Sequence, residues 1–262
     1  MASPELPIVI TGVSSGIGAQ TASMLAAAGY SLIGVDRNSP EAFEGAFVQA
    51  DLSTPEGVKQ AGEEVAAHAP NGLQGLANIA GVPGTAPVEV VFAVNVFAVR
   101  NLTLQLAEQL NPGAAVVNLS SSVAFDWRSR AQECRNFAEA DDESAAIASA
   151  AQNPELAENS YLFSKQCVRA LTESLSATLL PRQVRVNSVS PGPVETPILD
   201  DFKKDHGQAM VNSAAETLGR FGRPADIAEV ICYLLSDGPA WINGTDIRVD
   251  GGLIAYRSSQ AG

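Results

Sequence analysis

Tyr161 and Lys165 stand four residues apart in "NSYLFSKQCVRAL", residues 159 to 171. On a helix this spacing stacks both side chains on one face, about one turn apart. A phenol ionises near pH 10, so it serves as a proton acceptor at neutral pH only where a neighbouring charge stabilises phenolate, and an ammonium one turn away is such a charge. Four tyrosines and four lysines in 262 residues can also produce the pair by chance. Its weight depends on whether the chain supplies a cofactor site, a second hydrogen-bond donor and a fold that gathers them.

The elements that would position the pair are legible as periodicity. Seven apolar runs bounded by turn residues read as strands: "PIVITG", "SLIGVD", "AFVQAD", "LQGLAN", "AAVVNLS", "VRVNSVS" and "DIRVD". Helix-period segments lie between them at 16–28, 55–68, 90–110, 160–180 and 224–236. The alternation implies an α/β fold, a parallel sheet covered by helices on both faces. No linker or repeat divides the chain, so residues 1–262 are expected to form a single domain. Residues 125–159 break the rhythm with a long, alanine-rich, largely acidic segment ahead of the Tyr161 helix. Such length without structure is unusual inside a domain, so extra helices are expected there.

Directly after the first strand, "TGVSSGIG" places Gly12, Gly16 and Gly18 at the turn into the first helix. Glycines let backbone approach a pyrophosphate, and the free N–H groups of a helix start favour its negative charge. A plain tight turn is the alternative. The second strand ends at Asp36, 24 residues after Gly12, near the offset at which a carboxylate meets an adenine ribose. A 2′-phosphate at about 4 Å from it would cost on the order of 4 kcal/mol at an effective dielectric of about 20, so NAD is expected over NADP. The neighbouring Arg37 is the complication, since a guanidinium could receive that phosphate.

Hydrophobic content of 46% with 17% charged residues is that of an ordinary globular protein. The net charge of −13 argues against nucleic-acid or anionic-membrane partners and favours small-molecule chemistry. Cys134, Cys167 and Cys232 are distant in sequence and odd in number, and His68 and His206 are the two histidines, so neither disulfides nor a metal site is expected. "MASPELPIVITG" has no basic region before its short apolar run, and no stretch of about eighteen uncharged apolar residues follows; a soluble cytoplasmic protein is the expectation.

"TGVSSGIG", "ADLS", "NIAG", "VNV", "NLSSS", "YLFSK", "SPGPVETP" and "VDGG" occur in an order that, over essentially the whole chain, resembles the short-chain dehydrogenases/reductases. The resemblance implies a doubly wound Rossmann fold and an NAD cofactor. By it, Gly12, Ser14, Ser15, Gly16, Ile17 and Gly18 would form the phosphate loop, with Asp36 and Arg37 beyond it. Asp51 and Leu52 would flank the adenine, and Asn78, Ala80 and Gly81 would line the ribose side, with Ile79 where the family usually has a second asparagine. Pro191, Gly192, Val194 and Thr196 would complete the cofactor site, Thr196 holding the nicotinamide carboxamide.

The same resemblance makes Tyr161 the residue that exchanges the alcohol proton while hydride passes between the carbinol carbon and nicotinamide. Lys165 would hold the nicotinamide ribose and, at about 5 Å, contribute roughly 3 kcal/mol to phenolate, about two pKa units. Ser121 would donate to the substrate oxygen, although Ser120 and Ser122 leave that assignment open by one place. Asn95 would position a helix kink and a water linking Lys165 to solvent; alone, it could equally cap a backbone group. Asn187 reads as structural, tying its strand to a neighbouring loop.

Ser121 and Tyr161 lie 40 residues apart, a separation that resembles the bacterial 3α-hydroxysteroid dehydrogenase/carbonyl reductase branch, close to proteins labelled coniferyl-alcohol dehydrogenases. The expected activity is NAD(H)-dependent interconversion of an apolar secondary alcohol and a ketone, steroid-like or aromatic/alicyclic. A primary aromatic alcohol is an alternative, as is a dinucleotide-binding regulator without turnover. Residues 193–218, with Ile198, Leu199, Phe202, Met210 and Leu218, would close as a substrate lid or pack as an ordinary amphipathic helix. The insertion is expected to obstruct the helix pairing of family tetramers, leaving a homodimer through residues 224–250, with a tetramer as the alternative. It would border the active-site mouth, with Trp127 touching substrate.

Overall fold

In the computed structural model, residues 6–201 and 208–260 are described. Seven parallel strands form one sheet: β1 (Ile8–Thr11), β2 (Leu32–Asp36), β3 (Ala46–Gln49), β4 (Leu73–Asn78), β5 (Leu110–Leu119), β6 (Arg185–Pro191) and β7 (Asp246–Val249). Their order is β3-β2-β1-β4-β5-β6-β7. The chain reverses direction across the sheet between β1 and β4, and the crevice at the carboxyl ends of two such strands is where α/β sheets take ligands. β1, β4 and β6 are buried at every position, which fits their unbroken apolar runs and requires cover on both faces.

One face is covered by α1 (Gly16–Ala27) and α10 (Pro224–Leu235), whose Leu25, Ile227 and Ile231 join Ile8 and Ile10 in the smaller core. The other face carries α2 (Pro55–His68), α3 (Val88–Phe92), α4 (Val99–Gln105) and α8 (Ser160–Leu179). Thr54 caps α2 by accepting from the Gly57 N–H, with Pro55 at the first helical position. The expected helix at 90–110 is instead broken: a π-helical turn at Ala93–Ala98 separates α3 from α4, and β5 already begins at Leu110. Val88–Gln105 is long and apolar enough to cross a membrane by composition, yet over half of it is buried within the fold.

The insertion folds as expected into helices: α5 (Ala131–Ala138), α6 (Glu143–Gln152) and α7 (Pro154–Glu158). Asp142 and Asn153 cap α6 and α7. Phe137 enters a ring cluster with Phe92, Phe97 and Phe163 at centroid distances of 4.9, 5.2 and 5.4 Å. Arg100 donates to the Ala138 and Ala140 carbonyls and pairs with Glu143 at 2.5 Å, fixing the α5–α6 corner. Two further helices follow β6 and β7: α9 (Gln208–Leu218) and α11 (Leu253–Gln260). The last was missed in the sequence, although Asp250 accepts from the Gly252 and Ile254 N–H groups in an ordinary helix-start pattern.

Candidate active site

A cleft of about 360 Å³ opens at the β1/β4 crevice. The turn after β1 has Gly12 at φ +77° and Gly16 at φ +55°, a region that side-chain-bearing residues rarely occupy. A Cβ on Gly12 would lie 3.0 Å from the Ala80 backbone, and one on Gly18 would overlap the Gly12 carbonyl oxygen. Glycine at these positions therefore lets the loop, the start of α1 and the loop after β4 close together. Thr11 clamps the same junction by accepting from the Ile79 and Ala80 N–H groups, both at 3.0 Å. Ser14, Ser15 and Ile17 complete the rim. Thr196 packs over Gly16 from the far side, where a glycine Cβ would approach its methyl to 3.2 Å.

Asp36 lines the cleft with each carboxylate oxygen accepting one backbone N–H, from Ser14 and Asn38, both at 3.0 Å. Each oxygen keeps a further lone pair. Arg37 is exposed at the same end. The Ser53 N–H and hydroxyl, helped by the Arg37 charge, hold Asp51 below its ordinary value. Leu52, Ala80 and Gly81 line the cleft with them.

Not every expected residue borders this cleft. Asn78 turns into the core, donating to Thr103 at 3.0 Å and Asn118 at 2.9 Å, because a buried amide at a strand end must find partners inside. Pro191 is buried at the end of β6, Gly192 borders the second cavity described below, and Val194 bridges to Gly222 beside a third. Asn38, Ser53 and Val94 line the cleft without having been singled out, each beside a residue that was; Ile198, expected in the lid, lines it as well.

Tyr161 and Lys165 share one face of α8, as their spacing requires. The Lys165 Nζ lies 5.6 Å from the Tyr161 ring centroid and donates to the Leu119 carbonyl at 2.8 Å. Burial pushes the Lys165 ammonium down to about 8. Asn95, inside the π-helical turn, accepts from the Val82 N–H at 2.9 Å and donates to the Val82 carbonyl and the Ser164 hydroxyl, both at 3.1 Å. It thus ties the loop after β4 to α8, and both its oxygen and the Lys165 Nζ face Gly81. The serine run separates by role: Ser120 is consumed in the core, donating to the Lys165 carbonyl at 2.8 Å, whereas Ser121 and Ser122 reach the cavity that Tyr161 lines. Asn187 is structural as expected, donating to the Ile242 carbonyl and accepting from the Thr245 N–H.

That second cavity, of about 420 Å³, lies beside the cleft: Ile198 lines one and Leu199 the other. Its walls are mostly apolar and come from distant segments, with Phe125, Leu162, Leu199, Val211 and Ile254 among them. Val211 and Ala214 place α9 over it; Phe202 and the Met210 side chain lie outside the described residues, as does His206. Trp127 does not line this cavity. It packs into the larger core beneath α5, 5% exposed, while Phe125, 53% exposed, takes the rim position. Sequence distance misleads about two of the cysteines: the thiols of Cys134 in α5 and Cys167 in α8 are neighbours in the fold. Among the described residues no cluster of metal-ligating side chains occurs.

Comparison with known proteins agrees with this architecture. Residues 7–131 match the family model described as short chain dehydrogenase, and residues 129–254 the one described as Enoyl-(Acyl carrier protein) reductase. The chain is 40% identical over 247 residues to a coniferyl-alcohol dehydrogenase of Pseudomonas sp. (strain HR199), covering 94% of this chain and 95% of that protein. It is 33% identical over 257 residues to the 3-alpha-hydroxysteroid dehydrogenase/carbonyl reductase of Comamonas testosteroni, covering 95% and 96%. The crystal structure of a 3-alpha-hydroxysteroid dehydrogenase from Pseudomonas sp. B-0831 complexed with NADH superposes with a TM-score of 0.84 at 36% identity, covering 97% of this chain and 99% of that one. With its seven-stranded sheet, glycine turn and near full-length relatives, the chain belongs to the short-chain dehydrogenase/reductase family.

Proposed function

We propose that this oxidoreductase interconverts an apolar secondary alcohol and its ketone with NAD(H). The observation that carries the reading is a phenol backed by a buried ammonium, on the wall of an apolar cavity adjoining a glycine-lined cleft. The cleft fits a dinucleotide: Gly12 to Gly18 offer backbone N–H groups at a helix start to a pyrophosphate, and Asp36 keeps lone pairs for ribose hydroxyls. Arg37, exposed and with its charge acting on Asp51, does not offset the repulsion Asp36 would impose on a 2′-phosphate. NAD is therefore favoured over NADP.

The bound nicotinamide supplies hydride exchange with the carbinol carbon. Tyr161 takes the alcohol proton in oxidation and returns it in reduction. Lys165, charged at neutral pH despite its lowered value, stabilises phenolate across 5.6 Å. Ser121 donates to the substrate oxygen as charge develops there. Asn95 holds the loop at Gly81 against α8 and is placed to order a water toward Lys165. Residues 193–218 act as the lid, with Leu199, Val211 and Ala214 already over the cavity.

The assembly is a homodimer. α5 lies along α8, with Arg128 and Arg135 both paired to Glu173, so the outer face of α8 is occupied within the chain. Tyr233 on α10 and the fully exposed Trp241 remain available to a second copy.

Following NADH absorbance with a panel of ketones and secondary alcohols tests the reading. Turnover is expected, with kcat/KM about tenfold or more higher for NAD(H) than for NADP(H). NADH binding without turnover of any member would favour the regulator. The 40% identical relative supports a second reading, a primary aromatic alcohol of the coniferyl type, which the same panel includes.

A further inference from the structure

The apolar cavity holds a charge that hydride and proton transfer do not need. Arg257 of α11 lines it together with Ser121 and Tyr161. The side chain is half-buried, and among the described residues its hydrogen bonding consists of one contact, from Nη2 to the Ser213 hydroxyl at 3.3 Å. A guanidinium has five donors in a planar fork. Several other arginines of this fold are met by carboxylates, as Arg169 is by Asp246 at 3.0 Å and Arg130 by Glu133 at 2.8 Å, and the buried Arg185 by the Leu234 and Ser236 carbonyls. Glu158 lines the same cavity, yet it is exposed, so solvent screens its charge, whereas Arg257 projects from a partly desolvated wall. Asn159 adds a neutral amide to the lining.

A half-buried guanidinium among Leu162, Leu199, Val211 and Ile254 gains most from a planar anion that engages its fork. A single such group, in a chain of net charge −13, suits one negative charge better than a dianion. We infer that Arg257 is a specificity-determining residue that binds a carboxylate carried by an otherwise apolar substrate, away from its reacting carbon. The inference rests on the oxidoreductase reading above, since it names the substrate class of that same site.

The test compares para-acetylbenzoate with para-acetylbenzamide, alike in shape and differing in charge. With NADH, the wild-type kcat/KM is expected to favour the benzoate by about tenfold or more, through KM. In Arg257→Met that ratio falls to near one, and Arg257→Lys retains part of it; Arg257→Gln carries the comparison if the methionine variant does not fold. Calorimetric titration of the NAD⁺ complex with para-acetylbenzoate, which cannot react there, should follow the same order. A wild-type ratio near one, or a ratio unchanged in Arg257→Met, overturns the carboxylate site while leaving the oxidoreductase reading intact. Benzoate binding that depends on Arg257 without turnover of either ketone upholds the site and overturns that reading. Neither binding nor turnover overturns both.

Discussion

The two cavities of this molecule are built in opposite ways. The cofactor cleft is made of backbone: two strand ends, a turn whose glycines take φ values of +77° and +55°, and a carboxylate that receives two peptide N–H groups. The neighbouring cavity is made of side chains drawn from β5's end, the insertion, α8, the segment after β6, α9 and α11. Backbone geometry constrains sequence locally, so one fold can keep a cofactor site while side chains on the other wall vary the substrate. Tyr161 and Lys165 stand at the boundary, on a helix packed against both.

The contrast sharpens first at two aromatic residues two positions apart. Trp127→Ala should cost about 3–5 kcal/mol in urea unfolding, because it empties a core position, and should leave the KM ratio between bulky and small ketones unchanged. Phe125→Ala should do the reverse, raising KM for bulky ketones several-fold with stability altered by about 0.5 kcal/mol or less. If Trp127→Ala shifts the ratio and Phe125→Ala does not, the cavity wall is wrongly drawn. On the backbone side, Gly18→Ala should weaken NADH binding by about 100-fold or more in a fluorescence titration, since its Cβ overlaps the Gly12 carbonyl. Near wild-type affinity would mean that the glycine turn does not hold the cofactor.

Lys165 carries a stability cost of its own. Its folded value of about 8 lies below the ordinary 10.5 of the unfolded chain. Below pH 8 both states hold the proton and the full penalty applies. As pH rises from about 8 to 10.5 the folded state releases it first, so wild-type stability rises through that window. Lys165→Met should therefore be more stable by about 2 kcal/mol at pH 7, after about 1 kcal/mol lost at the Leu119 carbonyl, and the advantage should shrink toward pH 10. A pH-independent difference would contradict this account. Asp36→Ala has the smallest effect, narrowing the NAD(H) preference by about tenfold in kcat/KM; an unchanged preference would remove the carboxylate from cofactor selection.

The same contrast explains what was legible in the sequence. All seven strands, the glycine turn, Asp36 and the i,i+4 pair are local patterns, and local patterns survive folding. The break in the helix around Asn95 was not legible as a π turn, because apolar periodicity continues through it; the resemblance to the family suggested the kink. The resemblance put Asn78 and Pro191 at the cofactor site; the segments that follow them do reach the cleft, while strand alternation and the partners Thr103 and Asn118 turn the Asn78 amide inward. Trp127 and Phe125 belong to one short segment, and which of the two faces the core depends on α5 lying over α8, a contact no local pattern encodes. The Cys134–Cys167 contact and the arrival of α11 at the cavity are non-local for the same reason. A signal for α11 was present in Asp250 ahead of Leu253, Ile254 and Arg257, whose spacing gives one helical face.

The central claim is that Tyr161 moves the substrate proton. Tyr161→Phe removes the hydroxyl and keeps the ring that packs beside Lys165, so steady-state kcat and NADH affinity should be measured together on this one variant. The account expects kcat to fall by about 10³-fold with NADH affinity within about threefold of wild type. A variant that binds NADH and turns over near the wild-type rate would contradict it.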